Sequence, residues 1–183
     1  MAAFILAPAL LVGAYLLKGR GDVTYQQADD GNSYYVLNRP DARAAANMLA
    51  RVRGKLEALV ADVQTEYPDN ADARRLAAKF NPANISEGSP HSGYTSFTVD
   101  KGAKVVLCIR QKEDERLVPE DVVVYVAVHE LAHIMTNEIG HTDVFWANNR
   151  ILVDRAETLG LYKAIHFETT PQPYCGLTID KTL

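Results

Sequence analysis

Cysteine is nearly absent from this chain. Cys108 and Cys175 are the two, and they make no CxxC pair. Neither a disulfide framework nor a cysteine-ligated zinc module is therefore expected; one bridge between the two stays open, but the favoured reading is free thiols in a reducing compartment. Positive charge is scarce as well. A net charge of −4 offers no basic face for a phosphate backbone, so no nucleic-acid partner is expected. No internal repeat appears. What remains is ordinary for a globular chain: of 183 residues, 48% are apolar and 23% charged, enough for one domain with a sizeable core.

Charge is missing altogether from Met1 to Leu17, MAAFILAPALLVGAYLL. A run of this length sits at the short end of what spans a bilayer. A signal peptide would begin with a basic region and end in a small-residue cleavage site. Here Lys18 and Arg20 follow the run and no A-x-A site precedes them. The expectation is a single-pass transmembrane anchor over residues 1–17, with the rest of the chain on the cytoplasmic side. Residues 18–34, rich in Gly, Asp, Asn, Gln and Ser, read as a polar tether. The folded domain is expected over residues 35–183.

Pro40 opens a helix. Ala45, Leu49, Val52, Leu56, Leu59 and Val63 recur every three or four residues and give it one apolar stripe that ends before Tyr67-Pro68. A short helix follows over Ala71–Phe80. Asn81–Gly93, NPANISEGSPHSG, has the composition of a loop. Tyr94–Val99 and Lys104–Arg110 alternate like two strands of a hairpin, with Gly102 suited to the positive φ of its turn. A helix then starts at Pro119 and carries the segment HELAH. Gly140 closes it, Thr142 caps a last helix over Asp143–Leu159, and the tail from Leu161 to Leu183 looks irregular.

His129-Glu130-Leu131-Ala132-His133 holds the chemistry. On a helix, residues four apart share a face, so both imidazoles reach one metal ion. Glu130 lies about 100° round the helix from His129, badly placed as a ligand but within reach of water at the metal. Its carboxylate is therefore the candidate general base. The flanking Val126, Val128, Leu131, Ala132 and Ile134 bury this helix, and a buried helix does not carry two histidines and a glutamate without something to satisfy them. Gly140-His141 falls where the chain must turn back, which makes His141 the favoured third ligand over Asp154 or Glu157 on the next helix. His91 and His166 stand alone and read as loop or core residues. Phe145 and Trp146 read as core anchors of the last helix.

The segment HELAHIMTNEIGHTDVFW resembles the WLM family of zinc metallopeptidases and, more distantly, SprT-type enzymes. YYVLNRPDARAAANMLARVR, NPANISEGSPHSGYTSF and YCGLTI are similar to metallopeptidase-like proteins of large DNA viruses and algae, several of which have an N-terminal hydrophobic segment. The resemblance runs from about Tyr35 to the C-terminus. It implies an α+β zincin-like domain with a long N-terminal helix, a small sheet and an active-site helix. His129, His133 and His141 would be its zinc ligands and Glu130 its base. Seven residues separate His133 from His141, against five in the metzincin pattern HExxHxxGxxH, so metzincin geometry does not carry over. Family members that act on DNA–protein crosslinks have extra binding modules or basic tails, and that activity does not carry over either.

The expectation is thus a membrane-anchored zinc peptidase acting on a protein or peptide substrate, with an edge strand from residues 94–99 or 104–110 holding the extended substrate. The alternative is a scaffold in a membrane or virion assembly, its zinc only stabilising the fold. A third reading is a self-processing enzyme whose tail or loop fills its own groove.

Overall fold

The computed structural model describes residues 23–181. The anchor expected over residues 1–17 lies outside the described residues, and among those described no helix is long and apolar enough to cross a membrane.

Part of the expected tether is a β-hairpin. Strand β1 (Val23–Gln27) pairs antiparallel with β2 (Ser33–Leu37) across a turn in which Gly31 takes φ +82°. Tyr25 and Tyr35 face each other across the pair with ring centroids 5.3 Å apart. Both tyrosines stand on the more open face of the pair, Tyr25 being 74% exposed, while Tyr34 and Val36 of β2 turn the other way into the core.

Helix α1 (Ala42–Glu66) follows the predicted stripe: Ala45, Leu49, Val52, Leu56, Leu59 and Val63 are all fully buried. Asn70 caps α2 (Ala71–Lys79) by accepting from the amides of Asp72 and Ala73. The segment that reads as loop contains β3 (Ile85–Glu87), a strand at the centre of the sheet. Its neighbours are β2 and β5 (Lys104–Leu107), both parallel to it, while β4 (Phe97–Val99) pairs antiparallel with β5 and forms one edge. The order is β1-β2-β3-β5-β4.

The strand is hidden from sequence reading because its buried Glu87 looks like a surface residue. Glu87 accepts from the Leu37 amide at 2.7 Å and from Arg110 Nε at 2.7 Å, and Arg110 makes a two-pronged bond to Asp41 at 2.7 and 2.8 Å. Burial pushes the Glu87 carboxyl up, against the amide and the guanidinium that hold it ionised.

Helix α3 (Glu120–Met135) runs through the core, and α4 (Asp143–Thr158) packs on it. Arg155 of α4 joins Asp62 of α1 through two bonds of 2.7 and 2.8 Å. The tail is not irregular. It forms a second hairpin, β6 (Gln172–Tyr174) and β7 (Leu177–Ile179), whose two-residue turn has Cys175 at φ +52° and Gly176 at φ +77°, the handedness that tight hairpins favour. That turn sets Cys175 against the end of β5, and a disulfide joins it to Cys108. The cysteines are therefore not free thiols: pairing depended on a fold that brings together residues separated by 67 in sequence.

Candidate metal centre

The C-terminal half of α3 presents His129, Glu130 and His133. Apolar side chains on its other faces bury this half of the helix, and only the imidazoles are left half-exposed. The turn after the helix is held tightly. Lys101, in the β4–β5 turn, donates through Nζ to the carbonyls of His133, Thr136 and Glu138 at 3.3, 2.9 and 2.6 Å. Arg75 of α2 donates to the Met135 carbonyl at 2.9 Å. Two cations at the end of a helix satisfy its last carbonyls and suit its negative dipole end. Inside the turn, the buried Thr136 hydroxyl accepts from Asn148 Nδ2 at 3.0 Å. The chain then reverses through Gly140 at φ +86°, and Thr142 caps α4 by accepting from the Phe145 amide.

This path returns His141 to the first two histidines. One ligating nitrogen from each of His129, His133 and His141 lies within 4.8 Å of the others, and Nε2 of His129 is 3.1 Å from Nε2 of His141. Zn–N bonds of ~2.0–2.1 Å in a tetrahedron separate ligand nitrogens by about 3.3 Å, so the cluster has the dimensions of a zinc site. Phe145 lies among the three rings, with centroid distances of 4.9, 4.4 and 4.6 Å, and Trp146 stacks on His141 at 5.3 Å. Both aromatics thus belong to the wall of the cluster as well as to the core.

The electrostatics suit a cation. Burial first, then the neighbouring imidazoles, lowers His129 to about 3. Burial, His141 and Lys101 lower His133 to about 4. Both rings are therefore neutral at ordinary pH, the form that binds a metal. Nδ1 of His129 is buried with no hydrogen-bond partner, so nothing in the fold itself accounts for burying this imidazole. Glu130 is 6% exposed, and burial raises it to about 7. A carboxyl held near neutrality beside neutral imidazoles suits proton transfer.

Glu130 and His133 line a groove of about 420 Å³ whose other wall is Ser96, Phe97, Thr98, Asp100 and Lys101, with Ile139 and Gly140 at its rim. Of the two runs considered for the sheet edge, 94–99 supplies it and 104–110 lies inside. Asp154 and Glu157 are not in the cluster: both are exposed, and Glu157 accepts from the Tyr162 hydroxyl at 3.2 Å. His91 is an exposed loop residue 3.0 Å from Glu115 Oε1, and His166 is exposed too. Sequence reading missed Lys101, Ser96 and Tyr174. Ser96 and Tyr174 carried a signal only in falling within NPANISEGSPHSGYTSF and YCGLTI, two of the segments behind the family resemblance, and Lys101 carried none.

The mixed sheet and the helices packed on it are similar in fold to solved structures of Wss1. The crystal structure of Wss1 from Saccharomyces cerevisiae superposes with a TM-score of 0.52, covering 68% of this chain and 86% of that one at 20% identity. A Wss1 mutant from the same yeast gives 0.52 at 22% identity. At such identities the likeness shows the fold, a mixed α+β domain. In sequence, the chain belongs to the same family as uncharacterized protein R325 of Acanthamoeba polyphaga mimivirus, to which it is 31% identical over 186 residues, spanning 99% of this chain and 94% of that protein. Uncharacterized protein 136R of Invertebrate iridescent virus 6 is 34% identical over 105 residues, or 55% of this chain and 56% of that protein. No family model matches.

Proposed function

We propose that the chain is a zinc-dependent peptidase of the WLM-like kind, with His129, His133 and His141 as metal ligands and Glu130 as general base. The observation that carries this reading is the convergence of three imidazoles beside a buried carboxyl, in a groove walled by a sheet edge. Zinc in such a site supplies a Lewis acid that acidifies water and polarises a carbonyl. Glu130, raised to about 7, accepts the proton that water releases and returns it to the departing amine. The outer edge of β4, which has no strand beyond it in the sheet among the described residues, offers backbone groups to an extended peptide, so the substrate would lie as an added strand across Glu130 and His133.

A scaffold would need the three ligands but not the glutamate. Burying a carboxyl without a partner is costly, and burial is what raises Glu130. Chemistry in the groove accounts for that cost; a purely structural zinc does not.

Glu130→Gln is the deciding variant. Zinc should stay near one per chain, and the melting temperature should not fall at neutral pH, since the variant no longer buries a charge. Cleavage of casein and of peptides should fall by ~10²–10⁴-fold, the usual contribution of a general base. Wild-type protein with full zinc that cleaves nothing across a broad peptide library would sink the peptidase reading and leave the scaffold.

A further inference from the structure

Ser96 precedes the edge strand and lines the groove together with Glu130. Its hydroxyl oxygen accepts from the Cys108 amide at 3.0 Å. It also lies 2.5 Å from the hydroxyl oxygen of Tyr174. A serine hydroxyl has one proton to give and two lone pairs to fill, so the direction of the second bond decides what Ser96 has left.

Tyr174 settles the direction. The residue is 3% exposed, and among the described residues Ser96 is the one hydrogen-bond partner of its hydroxyl. Were Ser96 the donor, the phenol proton would be buried with no acceptor, which costs as much as a lost hydrogen bond. Tyr174 therefore donates. Burial, the largest effect, raises the phenol, the bond to Ser96 pulls it back and the Glu130 carboxylate raises it again; the net shift is upward, so it stays protonated and able to donate. With both lone pairs of Ser96 engaged, by the Cys108 amide and the Tyr174 hydroxyl, its own proton is left over. Ser96 is half-buried and lines the groove.

We propose that Ser96 is a substrate-binding residue: its hydroxyl donates to a backbone carbonyl oxygen of the peptide lying along β4, and Tyr174 is the positioning residue that fixes the hydroxyl in that orientation. Tyr174 is held in turn by its neighbour, since the Cys175–Cys108 disulfide and the bond from the Cys175 amide to Gln111 Oε1 (3.2 Å) anchor the tail hairpin beside Ser96. Chains of hydroxyls polarise one another, so the donor facing the peptide is a stronger one than an isolated serine. The inference rests on the peptidase reading for its ligand, but not on turnover.

The test uses the zinc-loaded chain and fluorescein-labelled casein-derived peptides. In the Glu130→Gln background, which holds substrate without turning it over, anisotropy should show Ser96→Ala binding about tenfold more weakly, the usual worth of one hydrogen bond. Ser96→Thr, which restores a hydroxyl, should recover most of that loss. Tyr174→Phe should weaken binding severalfold when Ser96 is present and not at all in Ser96→Ala. Zinc content and melting temperature identify any variant that fails to fold, and Ser96→Thr and Tyr174→Phe keep the question open to refutation if Ser96→Ala is such a variant. Equal affinity of folded Ser96→Ala and the parent overturns the proposal, as does an additive effect of Tyr174→Phe or the absence of any peptide binding. Absence of cleavage by the wild type with the Ser96 dependence of binding intact would instead count against the peptidase reading alone.

Discussion

At the scale of single residues, the three imidazoles do unequal work. His129 and His133 share a helix, while His141 depends on a turn, so losing either of the first two should take zinc from about one per chain to near none. His141→Ala should weaken binding, and Glu157→Ala should leave it intact. The direction of the pH effects comes from the shifts. His129 and His133 have folded values near 3 and 4, below the ordinary histidine value of about 6.5. In metal-free protein their contribution to stability is whole above that value. It is lost as pH falls, through about 4 and then about 3, because the unfolded chain takes up protons that the folded one refuses. Glu130 works the other way: its folded value near 7 means stability present below the ordinary carboxyl range and lost as pH rises through about 7. Melting curves of the metal-free protein should therefore drop in acid, less steeply in His133→Asn and more steeply in Glu130→Gln. In His141→Ala, where His129 and His133 are the imidazoles left, the residual zinc affinity should stay nearly constant from pH 7 down to about 5, since both rings are already unprotonated over that range. Residual affinity that falls tenfold per unit from pH 6.5 in that variant would contradict the low imidazole values.

At the scale of elements, the β4–β5 turn is the joint between sheet and metal helix. Gly102 sits there at φ +112°, and a β-carbon on it would lie 2.5 Å from the Lys79 carbonyl oxygen and 3.0 Å from Ile134 Cγ2. Gly102→Ala should cost ~1–3 kcal/mol from the backbone conformation alone, with the clash added. Because Lys101 next to it holds three carbonyls at the end of α3, weaker zinc binding should accompany the lower melting point. Unchanged zinc affinity at reduced stability would separate the turn from the site. The elements differ in how much of them could be read beforehand. Helix α1, the metal helix and α4 were legible because Pro40, Pro119 and Thr142 mark their starts and apolar residues follow; the ends were less so, since α1 stops before Tyr67-Pro68 and α4 before Gly160 as expected, but the metal helix stops at Met135, five residues short of Gly140. Gly102 and Thr142 behaved as their chemistry predicts. Strand β3 was not legible, because Glu87 reaches its partners Leu37 and Arg110 only through the fold. The β1–β2 hairpin was overlooked for a smaller reason: Asp30-Gly31 is a turn signal, but a polar stretch next to an apolar run invites the reading of a tether. His141 could be favoured in advance and no more, since nothing local tells how far a turn will carry a side chain.

At the scale of the molecule, one covalent link shapes the second half of the chain. Cys108 and Cys175 are both buried and joined, and closing a loop with a separation of 67 residues removes unfolded-state freedom worth up to about 4 kcal/mol in a chain-entropy estimate. Cys108→Ser with Cys175→Ser should lower the denaturation free energy by an amount approaching that figure, read from urea titrations. Equal midpoints for the double variant and the parent would mean that the bond adds nothing to stability. The link also has a topological consequence. Every residue of the proposed centre, from His129 to His141, lies inside the ring that it closes. The longest unbroken exposed run in that ring is Asn137–His141, with Ile139 at 91%. A protease cutting there, this one included, would release nothing: the two pieces would travel as one molecule and part only when the disulfide is reduced. Nicked protein should run as a single band without thiol and as two bands with it.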